Sequence, residues 1–213
     1  MKKIHELARH KAPADLPQSL AWDGESLWLG SLANKRIYQI DTSDWSVKYE
    51  VGAPGTPFGM AYIGEEIRVL CGETEEDFRN IRRLMPGHGF DTVFKLPCPD
   101  DTGSQLGWDG EALHVSQWYN QQILALSPNG GVTKTYDSPR GICGQVIVGD
   151  CIYIANTSEE EKGDYFLGRI DRNSGAYEDL ALIPFPARAL AHDGSHFYSN
   201  HRAGGDTVKF TIE

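Results

Sequence analysis

Apolar and polar positions alternate in short runs along this chain, and one run recurs. Residues 19–29 read Ser-Leu-Ala-Trp-Asp-Gly-Glu-Ser-Leu-Trp-Leu, and residues 105–115 read Gln-Leu-Gly-Trp-Asp-Gly-Glu-Ala-Leu-His-Val. A looser copy spans 189–199, and two weaker copies span 59–69 and 144–154. Alternation with a period of two is typical of half-buried β-strands. Each copy therefore predicts a strand, a tight turn that ends in glycine, and a second strand.

The turn glycines recur with a regular period. They are Gly24, Gly64, Gly110, Gly149 and Gly194, and their spacings are 40, 46, 39 and 45 residues. A period near 40 residues that is built of β-strands is typical of the blades of a β-propeller. We therefore predict an all-β fold, a five-bladed β-propeller with four antiparallel strands in each blade.

Strand and turn signals divide the chain into five blades within a single domain over residues 1–213. The predicted blades span about 17–52, 57–97, 103–137, 140–181 and 186–213. The last blade has only three strand signals, whereas residues 4–10 form a strand-like segment with no neighbour in sequence. We predict that this N-terminal strand completes the last blade, because closure of the ring removes sheet edges that otherwise promote aggregation.

Charge and composition limit the partners of this chain. It carries 30 Asp and Glu against 20 Lys and Arg, with no basic run, which argues against nucleic acid as a partner. No apolar stretch reaches membrane-spanning length, and the N-terminus lacks the apolar region of a signal peptide. We therefore expect a cytoplasmic protein with no membrane partner, unless an export segment has been removed.

Counting from the turn glycines locates the ligand-binding face. In a propeller the first strand of each blade lines the central channel, and the Asp-Gly turns lie opposite the face with the longer loops. The first strands begin at that loop face six positions before each glycine, at Gln18, Phe58, Ser104, Cys143 and Arg188. The second strands end there seven positions after it, at Ser31, Cys71, Gln117, Asn156 and His201. The Asp-Gly turns themselves suit an architectural role.

A concave site with a few convergent polar groups is the usual form of a small-molecule site. We predict such a pocket at the channel mouth, formed by Gln18, Glu73, Gln117, Trp118, Tyr119, Asn156, Arg188, His201 and Arg202, with Arg140 slightly above.

The residue types in this set suggest roles. His201 suits a general acid or base near neutral pH, with Glu73 to orient its imidazole or to bind a cation. Arg188 or Arg140 suits a substrate carboxylate. The amides and the aromatic pair suit substrate binding. Scaffold roles stay open for all of them, since polar residues at strand ends often cap neighbouring loops.

Two further segments extend the repeat. The first phrase is followed by Asn-Lys-Arg-Ile-Tyr-Gln-Ile-Asp at 34–41, and the fourth unit contains Leu-Gly-Arg-Ile-Asp at 167–171. With these segments the chain resembles the propeller group of streptogramin lyases, gluconolactonases and NHL-type repeats, and its blade count is similar to that of plant-type glutaminyl cyclases. The resemblance implies a divalent cation such as Ca²⁺ or Mg²⁺, for which His201, or Glu73 with Asn156, are the candidate ligands.

Two functional hypotheses follow. The first is an enzyme that acts on a small polar or anionic substrate by acid–base chemistry, of the lyase, isomerase, cyclase or lactone-hydrolase type, with its site at the channel mouth. The second is a non-catalytic propeller that binds a small ligand or a protein on the same face.

Overall fold

The chain forms a ring of five antiparallel sheets. The structure, a computed structural model, describes residues 2–74, 78–159 and 162–212. Within these ranges each sheet has four strands, and the helical content is a single 3₁₀ turn at Pro99–Asp101. The prediction of a five-bladed β-propeller is confirmed. No helix in the described part of the chain is long and apolar enough to cross a membrane.

The strands follow one another outward in each blade, from the channel to the rim. The first blade contains β2 (Pro17–Trp22), β3 (Leu27–Ser31), β4 (Arg36–Ile40) and β5 (Val47–Gly52). The second contains β6 (Thr56–Ile63), β7 (Glu66–Gly72), β8 (Arg79–Met85) and β9 (Gly89–Pro97). The third contains β10 (Gln105–Trp108), β11 (Leu113–Gln117), β12 (Gln122–Leu126) and β13 (Val132–Asp137). The fourth contains β14 (Gly141–Val148), β15 (Cys151–Thr157), β16 (Tyr165–Asp171) and β17 (Tyr177–Ile183). The fifth contains β18 (Ala187–His192), β19 (Phe197–His201), β20 (Asp206–Thr211) and β1 (His5–Lys11).

The N-terminal strand closes the ring, as predicted. β1 lies antiparallel to β20, with Lys11 opposite Asp206 and His5 opposite Thr211. The residues before β1 also bond to the rim of the fourth blade, where the amide of Ile4 donates to Leu182 O at 3.0 Å. Ile4 is 7% exposed within an apolar cluster, so the closing strand is anchored by side-chain packing as well as by backbone pairing.

Apolar side chains fill the spaces between neighbouring blades. Successive residues of a strand point to opposite faces, and in a ring both faces of every sheet are covered by neighbours. Trp28 of the first blade thus shares a cluster with Met60 and Val69 of the second. Similar clusters lie at the other junctions, so apolar burial holds adjacent blades together.

The repeated Asp-Gly phrase forms the turn between the first two strands of a blade. Asp23 Oδ1 accepts hydrogen bonds from the amides of Glu25 at 2.8 Å and Ser26 at 2.6 Å. Its Oδ2 accepts from Trp28 Nε1 at 2.7 Å. Gly24 has a φ of +101°, which favours glycine. The repeated phrase therefore stabilises the turn and the strand beside it.

Glutamine side chains join the inner strands at the centre of the ring. Gln105 Nε2 donates to Phe58 O at 2.9 Å and to Gln18 O at 3.4 Å, which ties the third blade to the second and the first. Gln145 Nε2 in turn donates to Gln105 O at 3.2 Å. Both glutamines are 1% exposed. They lie between the two mouths of the channel.

Candidate functional site

A cavity of about 450 Å³ opens at the loop face of the channel, and all five blades contribute to its wall. Its described wall residues are Gln18, Phe58, Arg79, Thr102, Gly103, Ser104, Trp118, Tyr119, Ile142, Cys143, Ser158, Glu159, Arg188 and Arg202. All five residues that lie six positions before a turn glycine are among them. The volume is within the range of about 300–1,000 Å³ that is usual for small-molecule sites.

In three blades a β-bulge near the start of the inner strand lies at a residue of the cavity wall. In the first blade Pro17 pairs with Ser31 and Ser19 with Gly30, so Gln18 has no opposite residue in the strand pairing. Phe58 in β6 and Cys143 in β14 are left without an opposite residue in the same way. A bulge re-aims a side chain that would otherwise follow the strand alternation. The same device thus positions a wall residue in three of the five blades.

The bulge of the fifth blade lies further along its strand. Arg188 pairs with Asn200, and the register shifts between Arg188 and Ala191. Ala189 within this bulge has a φ of +58°, a conformation that is rare for a residue with a side chain. Ser199 Oγ donates to Arg188 O at 3.2 Å and to Ala189 O at 2.9 Å. These bonds fix the backbone beside Arg188.

Three guanidinium groups face the cavity and are held in place by neighbouring groups. Arg188 is 5% exposed, and its Nη1 donates to Tyr165 Oη at 2.9 Å and to Ala187 O at 2.8 Å. Arg202 Nη1 donates to Gln18 Oε1 at 3.0 Å.

Arg79 holds its place by bonding to the backbone and by stacking. Its Nη1 donates to Gly103 O, and its guanidinium carbon lies 3.3 Å from the centroid of the Phe58 ring. Glu159 is the one carboxylate among the described wall residues, so that part of the wall has an excess of positive charge.

An aromatic pair forms one side of the cavity. The rings of Trp118 and Tyr119 meet edge to face with centroids 5.3 Å apart, and Tyr119 is 80% exposed. The Trp118 amide donates to Ser104 Oγ at 3.1 Å. A Cβ on Gly141 would lie 2.5 Å from the Trp118 ring, so the indole position depends on that glycine. The arrangement offers an apolar surface beside the cations.

The structure places Gln18, Trp118, Tyr119, Arg188 and Arg202 of the predicted site in the cavity wall. The others lie outside that wall, and these are Glu73, Gln117, Arg140, Asn156 and His201. All but Arg140 stand at or just beyond the end of a second strand, which is separated from the channel by the first strand. Their side chains make hydrogen bonds or ion pairs with neighbouring residues, and so does the side chain of Arg140.

His201 packs at the outer side of the fifth blade. Its Nδ1 lies 3.3 Å from Arg9 Nη1 and 3.9 Å from Asp206 Oδ2, and its ring packs on Phe185 with centroids 5.6 Å apart. Burial lowers the pKa of His201, and the nearby charge of Arg9 adds to this effect. Closure of the ring by β1 thus supplies one of the three contacts of this histidine, that with Arg9.

Glu73 and Gln117 have local partners as well. Glu73 lies 3.6 Å from Arg82 Nη1 and 3.1 Å from Lys95 Nζ, both on its own blade. Gln117 Nε2 donates to Pro99 O at 3.1 Å and to Thr102 O at 3.3 Å, so it supports the connection that contains the 3₁₀ turn.

Arg140 and Asn156 belong to a network in the fourth blade. Arg140 makes a two-bond contact with Asp179, at 2.9 and 2.6 Å, and its guanidinium carbon lies 4.0 Å from the ring centroid of Phe166. Arg140 Nη1 also donates to Asn156 Oδ1 at 2.9 Å, and Asn156 Nδ2 donates to Tyr177 Oη at 3.1 Å.

A divalent cation does not fit the residues that the resemblance implied. Glu73 is paired with Arg82 and Lys95 in the second blade, whereas Asn156 faces Arg140 in the fourth. Both sets of donors are thus beside cationic side chains, which oppose the binding of a metal ion. Within the described residues no three His, Cys, Asp or Glu side chains come together as a candidate metal centre.

Sequence reasoning missed Arg79 and Glu159. Arg79 is the first residue of β8, and Glu159 follows the end of β15, so both stand where the second and third strands of a blade meet the loop face. Both residues lie beside the two long loops, and this position in the sequence could have identified them as candidate site residues. Counting from the turn glycines did not find them, because these loops differ in length from blade to blade.

The fold and the cavity together define a five-bladed β-propeller with a ligand-sized site at one mouth of its channel. Among solved structures the chain is similar to a glutaminyl cyclase from Myxococcus xanthus, with a TM-score of 0.74 and 12% identity over 100% of this chain and 97% of that one. It is also similar to the PQQ-bound aldose sugar dehydrogenase of Streptomyces coelicolor, with a TM-score of 0.61 and 15% identity over 94% of this chain and 78% of that one.

A third similar structure is a protein of unknown function from Bacteroides thetaiotaomicron, with a TM-score of 0.66 and 12% identity over 100% of this chain and 73% of that one. No protein-family model matches the chain, and no curated protein matches it. At these identities the likeness shows the fold alone.

Proposed function

We propose that this protein binds a small organic anion in the loop-face cavity. One observation carries the proposal. Arg79 from the second blade and Arg188 and Arg202 from the fifth face the same cavity, with Glu159 as the one carboxylate among the described wall residues. Guanidinium groups pair with carboxylates and phosphates through charge-assisted hydrogen bonds.

The other wall residues support an organic ligand over a bare inorganic ion. Trp118 and Tyr119 offer aromatic surface on one side, and Ile142 adds an aliphatic contact. Ser104 and Ser158 supply hydroxyl groups for orientation. A ligand with one anionic group and a ring or other apolar part contacts both the guanidinium groups and the apolar side chains of this wall.

Thermal unfolding with matched ligands tests the proposal. Benzoate and phenyl phosphate are expected to raise the unfolding temperature in a saturable way, whereas neutral benzamide leaves it unchanged. Arg202→Gln is expected to weaken binding by roughly 10- to 100-fold, the effect of losing a hydrogen bond to a charged group. Arg169→Gln is the matched control, because Arg169 pairs with Glu178 on the outer part of the fourth blade. Equal stabilisation by benzamide, or equal binding by Arg202→Gln, contradicts the proposal.

Catalysis in the same cavity is the second candidate, since the structures with a similar fold include a cyclase and a dehydrogenase. The carboxylate available for proton transfer in the described wall is Glu159, because His201 and Glu73 are bound to other groups outside it. We expect Glu159→Gln to lower kcat at least ten-fold with little change in KM, measured on a panel of lactones and glutaminyl compounds. An unchanged kcat in Glu159→Gln counts against this role.

A further inference from the structure

The guanidinium groups of the loop-face cavity belong to two separate parts of its wall. Arg188 and Arg202 belong to the fifth blade, near the start of β18 and just after β19. Arg79 is the first residue of β8, in the second blade. Since the blades of a propeller are arranged radially around the channel, the place of each arginine along the ring follows from the blades that it contacts.

Arg79 lies at the junction of the second and third blades. Its guanidinium stacks on Phe58 of the second blade, and its Nη1 donates to Gly103 O in the connection that leads into the third blade. In a ring with an odd number of blades, each blade stands opposite the junction of two others. The junction of the second and third blades stands opposite the fifth blade. Arg79 therefore lies across the channel from the arginines of that blade.

The two arginines of the fifth blade lie on either side of that blade. Arg188 Nη1 donates to Tyr165 Oη of the fourth blade at 2.9 Å, and Arg202 Nη1 donates to Gln18 Oε1 of the first blade at 3.0 Å. All three guanidinium groups are thus oriented by their surroundings, and preorganised groups lose less conformational freedom when a ligand binds. The cavity therefore presents oriented guanidinium groups at two opposite ends.

The wall between these two ends carries other side chains. Gln18 of the first blade lies on one flank, whereas Trp118 and Tyr119 of the third blade and Ile142 of the fourth lie on the other. Glu159 also belongs to the fourth blade, so its carboxylate opposes an anionic group at the middle of the cavity more than at the ends. The flanks suit the apolar middle of a ligand, and the ends suit anionic groups.

We propose, on the basis of anion binding in this cavity, that its ligand is an organic dianion with one anionic group at each end. One carboxylate or phosphate pairs with Arg188 and Arg202, the second pairs with Arg79, and the spacer between them lies against Trp118 and Tyr119. A ligand with a single anionic group reaches only one of the two ends.

Isothermal titration calorimetry at neutral pH with three closely related ligands tests this proposal. Terephthalate carries carboxylates at opposite ends of its ring, monomethyl terephthalate has one of them blocked, and phthalate carries both on adjacent carbons. We expect terephthalate to bind roughly 10- to 100-fold more tightly than monomethyl terephthalate, the effect of one more hydrogen-bonded charged group. Phthalate has the charge of terephthalate without its length, so it is expected to bind no more tightly than monomethyl terephthalate.

A second dianion distinguishes between the two kinds of anionic group. In 4-carboxyphenyl phosphate a phosphate replaces one carboxylate of terephthalate. Tighter binding than that of terephthalate assigns a phosphate to one end of the cavity. Weaker binding that still exceeds that of monomethyl terephthalate assigns a carboxylate to both ends. Both results support a dianionic ligand.

Variants test the role of Arg79. Arg79→Gln is expected to remove most of the preference for terephthalate over monomethyl terephthalate, whereas Arg169→Gln, on the outer part of the fourth blade, keeps it. If Arg79→Gln fails to fold, the comparison of the ligands on the unaltered protein still decides. Terephthalate that binds no more tightly than its monomethyl ester, or than phthalate, overturns the dianion proposal, while saturable binding of benzoate leaves the anion-binding proposal intact. If neither benzoate nor any of these ligands binds, both proposals fail.

Discussion

At the scale of single residues, one aspartate organises both a turn and a blade junction. Asp109 accepts hydrogen bonds from the amides of Glu111 at 2.8 Å and Ala112 at 2.6 Å, and from His114 Nε2 at 3.0 Å. Arg172 of the next blade also donates to it. Burial opposes ionisation of Asp109, but these hydrogen bonds outweigh burial and lower its pKa to about 2.

Asp109→Ala is expected to lower the free energy of unfolding by at least about 2 kcal/mol, since it leaves His114 and several amides without an acceptor. Asp150→Ala is the matched control, because Asp150 is an exposed residue in the corresponding turn of the fourth blade. Chemical denaturation of both variants measures the difference. Equal midpoints for the two variants rule out this role of Asp109.

His114 predicts a pH dependence of stability. Burial lowers its pKa, although Asp109 acts in the opposite direction. The unfolded chain therefore binds a proton near the usual pKa of about 6.5, where the folded chain does not, so stability falls as the pH drops below that value. His114→Gln is expected to flatten the loss of stability between pH 7 and pH 5 in part, because the half-buried His192 and His201 contribute in the same direction.

His88→Gln serves as the control for this measurement, since His88 is exposed at a turn of the second blade. Denaturation midpoints at several pH values give the slope for each variant. A slope in His114→Gln as steep as that in His88→Gln shows that His114 does not contribute.

At the scale of elements, the sequence predicts the positions of the strands better than it predicts which residues their side chains contact. The strand regions follow from alternation. The count to six positions before each glycine finds residues of the cavity wall, and in three blades this residue lies in a bulge. The count to seven positions after each glycine finds residues such as His201 and Asn156 instead. Arg9, which contacts His201, is 192 residues away in sequence, so local pattern does not reveal this contact. Arg140 is 16 residues from Asn156, but alternation does not show that their side chains meet.

The N-terminal segment offers a matched pair for testing its anchoring. Ile4 is 7% exposed and packs with Leu167 and Phe210, whereas Leu7 of β1 is 45% exposed. Ile4→Ala is expected to cost about 2–4 kcal/mol of unfolding free energy, the usual range for a buried aliphatic truncation. Leu7→Ala is expected to change it by less than about 0.5 kcal/mol. Similar effects of both substitutions mean that the closing strand is held by backbone pairing alone.

At the scale of the whole molecule, the ring is narrow because backbones of adjacent inner strands come into close approach. A Cβ on Gly59 would lie 2.6 Å from Gln105 Cα of the next blade. The period of the turn glycines was sufficient to predict five blades, and the missing fourth strand of the last blade predicted the closing strand. The hydrogen bonds at the centre of the ring were not predictable, since they depend on where the amides of Gln105 and Gln145 meet backbones of other blades.

Gly59→Ala is therefore expected to destabilise the protein by about 1–3 kcal/mol, because a backbone neighbour cannot give way as a flexible side chain does. Gly52→Ala is the control, since a Cβ at Gly52 has no atom within 4 Å. Thermal unfolding of the two variants gives the comparison. If Gly59→Ala is as stable as Gly52→Ala, the inner strands are able to move apart to accept the added methyl group.

The pairing of β1 with β20 joins segments that are synthesised at very different times. About 200 residues separate them, so at roughly 5–20 residues per second β1 leaves the ribosome some 10–40 s before its partner. The four blades in between are completed while the ring is still open. Emergence of β20, rather than that of any earlier blade, is then the moment at which the ring closes and both channel mouths take their final shape.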